Sequence, residues 1–183
     1  MQKLKITEIN SKLSELTTLF GQNLLAETNN FELILNNSDL EGLSDGVIAA
    51  SHEAAIRKMN QLEAIEEKEQ YKNKYLFTPH RTSMYPFLTE STRRDLREKL
   101  YNGYIMRGDN NNNNDNKIIA AKIAKLRAKK ANLMGYKTHA HFVLEERMLK
   151  SPEEVYDLLI QLWKPAVNRA KVEVEDMQKV IES

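Results

Sequence analysis

The chain has 183 residues, which is enough for one large domain with a buried core. Its 27 Lys and Arg against 26 Asp and Glu leave a formal charge of +1, so composition gives no electrostatic case for a nucleic-acid or anionic-membrane partner. Because cysteine is absent, disulfides, thiolate catalysis and Cys-ligated zinc are excluded.

The same composition favours a cytoplasmic location. A reducing compartment fits a chain without cysteine, and the first residues, MQKLKITEINSKL, contain no apolar core of signal-peptide length. No run reaches the roughly 18 apolar residues of a membrane span. We therefore expect neither a nucleic acid nor a membrane among the partners.

The first half predicts a helix, a strand, a helix and a strand. Apolar residues at steps of three and four indicate a helix over about 3–27, and the alternation in FELIL (31–35) indicates a short strand. A helix over about 44–72 follows, with Ser44 as its N-cap. A second strand at 75–78 is expected to pair with the first, because nothing else could satisfy their backbone groups.

A loop with two prolines, about 79–90, leads to a predicted helical hairpin over residues 92–135. Gly108 and Gly135 follow the last periodic residues of the two arms, where a left-handed cap favours glycine. The asparagine run between the arms cannot bury apolar surface and is predicted to be a turn. The apolar stripes are Leu96, Leu100, Tyr101, Tyr104 and Ile105 in the first arm, and Ile119, Ile123, Leu126, Lys130 and Leu133 in the second.

Two further helices complete the pattern. One is predicted over about 138–149, and the other begins at Ser151-Pro152-Glu153-Glu154, which combines an N-cap, a proline in the first turn and a capping-box glutamate. The apolar stripe of the second passes Pro165 in register, which predicts a kink rather than a stop. The chain is thus predicted to be mostly α: a multi-helix bundle with a short two-stranded β element, forming one helical segment over 1–183 with parts 1–90 and 91–183.

A zinc site is the first chemistry to test. In His52-Glu53-Ala54-Ala55-Ile56, the second histidine that H-E-x-x-H requires is replaced by Ile56. His52 also falls on the apolar face of its helix, so we interpret it as a core residue. His139 and His141 are two residues apart and point to different sides of a helix, so they are interpreted as surface or capping residues.

The run from Asp109 to Asp115 imitates the start of a calcium loop. Asn114 stands where such a loop requires glycine, and Ala120 stands where it requires the closing glutamate. Calcium binding is therefore not expected.

Five basic residues on the hairpin leave two interpretations open. Their stems could be buried while the charges pair with Asp95, Glu98 or Asp115 between helices, which we favour, or they could line a cleft for a substrate carboxylate. The five residues are Arg94, Arg97, Arg107, Arg127 and Lys130. The residues alone identify no catalytic, cofactor-binding or metal-binding residue.

A series of spaced residues along the chain forms a recognisable pattern. Its positions are FELIL with Asp39-Leu40-Glu41-Gly42-Leu43, YLFT with Tyr85-Pro86-Phe87-Leu88, Arg94-Asp95-Leu96-Arg97-Glu98, Tyr101, Arg107-Gly108, Asp115-Asn116, Leu126-Arg127, Lys130 to Tyr136, Met148, Ser151-Pro152-Glu153 and Leu162-Trp163. This pattern resembles the thimet oligopeptidase family of zinc metallopeptidases, in particular its bacterial peptidyl-dipeptidase (Dcp) branch. The resemblance therefore covers nearly the whole chain.

The resemblance implies part of the helical lobe of a two-lobed enzyme whose channel admits short peptides. Zinc-activated water would remove C-terminal dipeptides, but the H-E-x-x-H helix lies C-terminal of the segment matched here. We therefore expect a non-catalytic fragment, truncated at both ends, without zinc and inactive alone. Its partners would be peptides through the parent enzyme and the remaining catalytic domain, with weak self-association of the fragment. The alternative is a stand-alone helical interaction module.

Overall fold

A computed structural model describes residues 2–183, which are mostly α-helical, as predicted. The elements are α1 (Gln2–Asn30), β1 (Leu33–Leu35), a 3₁₀ turn (Asn37–Asp39), α2 (Asp45–Gln61), α3 (Ile65–Glu69), β2 (Tyr75–Phe77), α4 (Arg81–Glu90), α5 (Arg94–Ile105), α6 (Lys117–Leu133), α7 (His139–Leu144) and α8 (Pro152–Glu182). No helix within residues 2–183 has the length and hydropathy that crossing a bilayer requires.

The chain divides into two compact units. One joins the chain up to Leu13 with Ile123–Ser183, and the other comprises Ser14–Lys122. In the first unit Ile9, Ile123 and Ala131 are buried, and α7 packs against α8. The second unit contains the sheet and both hydrophobic clusters described below.

The two strands form the antiparallel ribbon that the sequence predicted. Leu33 pairs with Phe77 and Leu35 with Tyr75, so the side chains at these four positions share one face. That face belongs to the main core, in which the Phe77 and Phe87 ring centroids lie 4.5 Å apart. The main core comprises Leu33, Leu35, Leu40, Leu43, Phe77, Met84, Phe87 and Leu100.

The opposite face of the ribbon carries Ile34 and Leu76 and packs into a second, smaller cluster with Ala55 and Tyr71. Burial, followed by the hydrogen bond that its hydroxyl donates to Glu32, raises the pKa of Tyr71. The ribbon is therefore covered on both sides, which gives two short strands a stability they would lack alone.

Two boundaries in the first half differ from the prediction. The helix expected to reach residue 72 ends at Gln61, because the chain turns so that Tyr71 can return to the second cluster. The proline-marked loop at 79–90 is largely helix α4, in which Pro86 costs the hydrogen bond to the Thr82 carbonyl. Complete burial of Phe87 and near-complete burial of Met84 outweigh that loss.

Both helices of the predicted hairpin exist, but only part of the first stripe is correct. Leu96, Leu100 and Tyr104 pack into the main core with the ribbon, whereas Tyr101 and Ile105 are exposed. Gly103 completes this packing, because a Cβ there would overlap the Phe31 ring. Helix α5 lies in the second unit, while α6 from Ile123 onward belongs to the first, so the packing of the two arms as one hairpin stays a prediction.

The two glycine caps and the Ser151 N-cap are confirmed. Gly108 and Gly135 have φ of +77° and +90°, and the Tyr136 N–H donates to the Ala131 carbonyl in a Schellman motif. At the start of α8 the Ser151 hydroxyl accepts from the Glu154 N–H, at 3.2 Å.

Two other predicted capping bonds are absent within residues 2–183. Ser44 stands at the N-cap of α2 without a side-chain capping bond. The Glu154 carboxylate accepts from the Lys150 N–H instead of completing a capping box with Ser151.

The last two helices match the prediction less evenly. Helix α7 ends at Leu144 rather than near residue 149, and Met148 beyond it is exposed. Helix α8 runs unbroken through Pro165, so the stop is absent as expected, while the kink stays a prediction.

Candidate functional site: a polar cleft beside α5

The structure places His52 in a packing role. Its ring is half-buried, and its centroid lies 5.5 Å from that of Tyr75. Glu53 forms an exposed ion pair with Arg57 at 3.4 Å, and Ile56 is exposed. The His52–Ile56 segment therefore has neither the second ligand nor the free carboxylate of a zinc-hydrolase helix.

His139 and His141 make different contacts from each other. The His141 N–H donates to the Thr138 hydroxyl, and its Nδ1 lies 2.7 Å from the same oxygen, which is a capping arrangement. His139 is half-buried near Arg127 and Lys130, and burial followed by these two charges lowers its pKa. The structure thus agrees with a capping role for one histidine and packs the other, rather than exposing it.

In the calcium-like run, an ammonium group lies among the oxygens. Lys117 Nζ is 2.7 Å from Asp115 Oδ2 and 2.9 Å from Asn111 Oδ1, and it also pairs with Asp109. The Lys117 side chain and N–H donate to Asp115, and these bonds hold the pKa of that carboxyl below its usual range. The Lys117 ammonium group therefore lies where a calcium ion would contact these oxygens.

Sequence reasoning missed the residue that anchors this loop. Glu27 of α1 is buried, and its carboxylate accepts hydrogen bonds from the Gly108 N–H, at 2.9 Å, and from the side chains of Asn110 and Asn112. Burial alone would raise its pKa, but these three bonds outweigh burial and leave the pKa below its usual value. The asparagine run is thus an ordered loop fixed to α1.

Asn116 provides a second attachment of the loop to α1. Its amide oxygen accepts from Asn23 at 3.0 Å, and its amide nitrogen donates to the Phe20 carbonyl at 3.1 Å. Its N–H also donates to the Gly108 carbonyl at 2.7 Å, which closes the loop at its base. A buried amide with all these partners fixes the path of the chain.

Arg97 and Arg107, two of the five basic residues, donate to acceptors other than the predicted carboxylates. Arg107 donates to the Tyr104 carbonyl and the Thr28 hydroxyl, both at 2.7 Å, and its guanidinium lies 4.0 Å from the centroid of the Tyr104 ring. Arg97 donates to the Ser91 carbonyl. Asp95 instead pairs with Arg93, which also reaches Asp39 at 2.9 Å. Arg97 and Arg107 thus stabilise the packing between segments, as favoured, but their acceptors are carbonyls and a hydroxyl rather than the predicted carboxylates.

Two arginines nevertheless face an open depression. It measures about 410 Å³ and is lined by Leu88, Arg94, Arg97, Glu98 and Tyr101. Because Glu98 lies in the same wall and Arg97 is already bonded to a carbonyl, this depression gives little support to the predicted carboxylate cleft.

A larger cleft of about 680 Å³ lies among the end of α1, one side of α5 and the asparagine loop, residues 109–116. Its size falls within the range of small-molecule sites. The lining residues are Glu27, Asn30, Phe31, Asp95, Glu98, Lys99, Asn102, Gly103, Met106, Asn110, Asn112 and Asn114. The cleft combines carboxylates, amides and one apolar wall, without a nucleophile or a histidine.

Helix α8 presents a long apolar surface. None of its residues is buried, and within the described chain Ile160 and Trp163 are 66% and 72% exposed. Leu158, Leu159, Leu162, Val174, Met177 and Ile181 are also exposed. Contiguous apolar surface of this kind marks interaction sites in folded proteins.

A family model described as peptidase family M3 matches residues 87–183, which is more than half of the chain. The chain belongs to peptidase family M3. This finding confirms the resemblance to the thimet oligopeptidase family, and the matched residues contain α5, the asparagine loop and α8.

Individual relatives extend the similarity to nearly the whole chain. The chain is 30% identical over 181 residues to dipeptidyl carboxypeptidase of Escherichia coli K12. This alignment covers 98% of the present chain and 25% of the relative. It is 31% identical over 176 residues to oligopeptidase A of Haemophilus influenzae, covering 93% of this chain and 24% of the relative. A probable cytosolic oligopeptidase A of Arabidopsis thaliana is 29% identical over 178 residues. The chain thus spans about a quarter of the length of these M3 relatives.

The zinc ion that the resemblance implies does not fit the residues of this chain. Among residues 2–183 no three His, Asp or Glu side chains converge as metal ligands, and cysteine is absent from the sequence. Lys117 already lies among the oxygens of the asparagine loop, and Ile56 stands in place of the second histidine of H-E-x-x-H. No catalytic step is therefore assigned to these residues.

Proposed function

We propose that this chain is the non-catalytic helical segment of a zinc-dependent M3 peptidase of the peptidyl-dipeptidase type. The complete enzyme would remove C-terminal dipeptides from short peptides in the cytoplasm. This segment would form part of the wall of the channel through which peptides reach the metal. Membership of family M3 supports the class of reaction, and the name dipeptidyl carboxypeptidase of one relative supports the type.

Helix α8 is the observation that carries the proposal. It is 31 residues long, lies within the family match and leaves large apolar side chains in water. Each such side chain would gain roughly 1.5–3 kcal/mol on full burial. About three quarters of the length of these relatives lies outside the matched region, and we expect the corresponding part of the complete enzyme to cover α8.

The contribution of this segment would be positioning and exclusion. Helices fixed by packed clusters and by a buried glutamate are suited to form a rigid wall, which admits an unfolded peptide and excludes a folded domain. Zinc, held by residues outside this chain, would polarise the scissile carbonyl. The residues described here would bind, orient and exclude, and they would transfer no proton.

The decisive experiment compares this chain with a longer protein from the same gene. We expect the 183-residue chain to retain no zinc after dialysis and to release no dipeptide from an N-blocked peptide. A longer protein that contains an H-E-x-x-H helix should bind zinc and release C-terminal dipeptides in a chelator-sensitive reaction. Stoichiometric zinc and turnover in the short chain would refute the proposal. A gene without that helix would favour the stand-alone interaction module.

A further inference from the structure

We propose that the cleft beside α5 binds an extended peptide segment that carries a cationic group. The choice of a peptide as the ligand rests on the proposed function. The cleft itself is lined by residues of the second unit alone, and no three His, Asp or Glu side chains among residues 2–183 are grouped so that they could hold a metal ion.

The cleft has one apolar wall and one wall of helical positions. Phe31 and Met106 supply apolar surface, and Phe31 lies against α5 because Gly103 has no Cβ. Asp95, Glu98, Asn102 and Met106 recur at steps of three and four, so one side of α5 forms the length of the cleft. A cleft of this composition offers polar contacts to a peptide backbone and an apolar surface to its side chains.

Amide side chains in the cleft are available for a ligand. Asn110 and Asn112 donate to Glu27 and are thereby fixed. The side chains of Asn30, Asn102 and Asn114 make no hydrogen bond to any residue in the described range 2–183. Each amide offers two donors and an acceptor, which is the complement of the N–H and C=O groups of an extended peptide.

The charge of the cleft favours a cation. Its lining contains the carboxylates of Glu27, Asp95 and Glu98 but only one ammonium group, that of Lys99. Asp95 is paired with Arg93, whereas Glu98 has no ion-pair partner within residues 2–183. Glu98 is therefore the carboxylate to which a lysine side chain or a peptide N-terminus would bind.

A bare metal ion is a poorer occupant than a peptide. The Glu27 carboxylate already accepts three hydrogen bonds, and both Asp95 oxygens accept from Arg93, at 3.0 and 2.8 Å. Only Glu98 remains as a free anionic ligand, and one carboxylate cannot hold a divalent cation against water. The free amides and the apolar wall would also have no role with a metal.

The test uses the 183-residue chain labelled with ¹⁵N and two blocked peptides, acetyl-Ala-Lys-Ala-Ala-amide and acetyl-Ala-Glu-Ala-Ala-amide. We expect the lysine peptide to shift the side-chain amide signals of Asn30, Asn102 and Asn114 in a saturable manner. Glu98→Gln should weaken its binding by about two- to fivefold, the range for an exposed ion pair. Glu66→Gln, at an exposed glutamate of α3 outside the cleft, is the matched control and should leave the affinity unchanged.

Three results would overturn the inference: unshifted asparagine signals, equal affinity for the two peptides, or equal effects of Glu98→Gln and Glu66→Gln. These results are separate from a failure of the proposed function. A longer protein without peptidase activity would refute the function while leaving binding at the cleft intact. An active longer protein whose short chain shows no asparagine shifts would refute the cleft alone.

Discussion

Glu27 shows how one buried carboxylate can order a loop that composition describes as featureless. It lies on α1, far along the chain from its partners at Gly108, Asn110 and Asn112. Charged hydrogen bonds are stronger than neutral ones, and three of them offset the cost of burying this charge. The loop therefore keeps a defined path along the cleft.

Replacing Glu27 by glutamine should destabilise the fold. The change Glu27→Gln preserves shape but removes the charge and turns an N–H₂ group toward donors, so we expect a loss of about 1–3 kcal/mol in the free energy of unfolding. Glu15→Gln, at an exposed position of the same helix, should stay within about 0.5 kcal/mol. Urea unfolding of the two variants at pH 7 measures the difference.

Lowering the pH should reduce the difference in unfolding free energy between wild type and Glu27→Gln. The pKa of Glu27 lies below 4.5 in the folded chain, so its stabilisation is present above the unfolded pKa and is lost as the pH falls through the folded pKa. The gap between wild type and Glu27→Gln should therefore narrow below about pH 4.5. A gap that stays constant down to pH 3, or equal effects of the two substitutions at pH 7, would contradict the assigned role.

For single residues, the sequence predicted whether a side chain is packed better than it predicted which residue that side chain contacts. The packing of His52 was predicted from its position on the apolar face of its helix. Glu27 could not be identified, because helical periodicity specifies which side is buried and carries no information on a loop many residues away. Asp95 was predicted to pair with one of five basic residues, none of which was its partner Arg93.

Among the elements, α4 is the clearest case in which tertiary packing overrides a local signal. Pro86 and the preceding Pro79 predicted a loop, but the segment Arg81–Glu90 is helical because Met84 and Phe87 fill the main core. Sequence signals succeeded at the caps of Ser151 and Gly135 and for the pairing of β1 with β2, which are separated in the chain by α2 and α3. The proline signal failed in α4, because its burial depends on core residues from other elements of the chain.

Substitutions of two aromatic residues test α4. Phe87 is fully buried, so Phe87→Ala should lower the free energy of unfolding by about 3–5 kcal/mol. Tyr85 lies two residues earlier and is 53% exposed, so Tyr85→Ala should lower the free energy of unfolding by no more than about 1 kcal/mol. Denaturant midpoints compare the two variants. Equal small shifts would mean that this segment is the loop the sequence suggested.

For the chain as a whole, the exposed side of α8 should drive association. The sequence led us to expect weak self-association, and the structure identifies an apolar surface that could mediate it. We expect sedimentation velocity to show concentration-dependent dimers of the 183-residue chain. The double substitution Leu159→Ser and Trp163→Ser should shift the population toward monomer, while Lys164→Ser on the same turn should not.

Two outcomes would count against this expectation. A strictly monomeric chain across a wide concentration range would mean that α8 does not self-pair in water. Dimers that survive the double substitution would place the contact on another surface. Trp163 is the only tryptophan, so a shift of its emission to shorter wavelength on association would report directly on burial of α8.

The asparagine loop also constrains how this gene can change. Gain or loss of one asparagine in the run of five, Asn110 to Asn114, would leave the composition of the loop almost unchanged. The contacts are less tolerant, because the Gly108 carbonyl and the Asn116 N–H must meet across a fixed number of residues while Glu27 holds Asn110 and Asn112. The hydrogen bonds of Glu27 on α1, together with the Gly108–Asn116 bond, therefore fix the length of the asparagine loop.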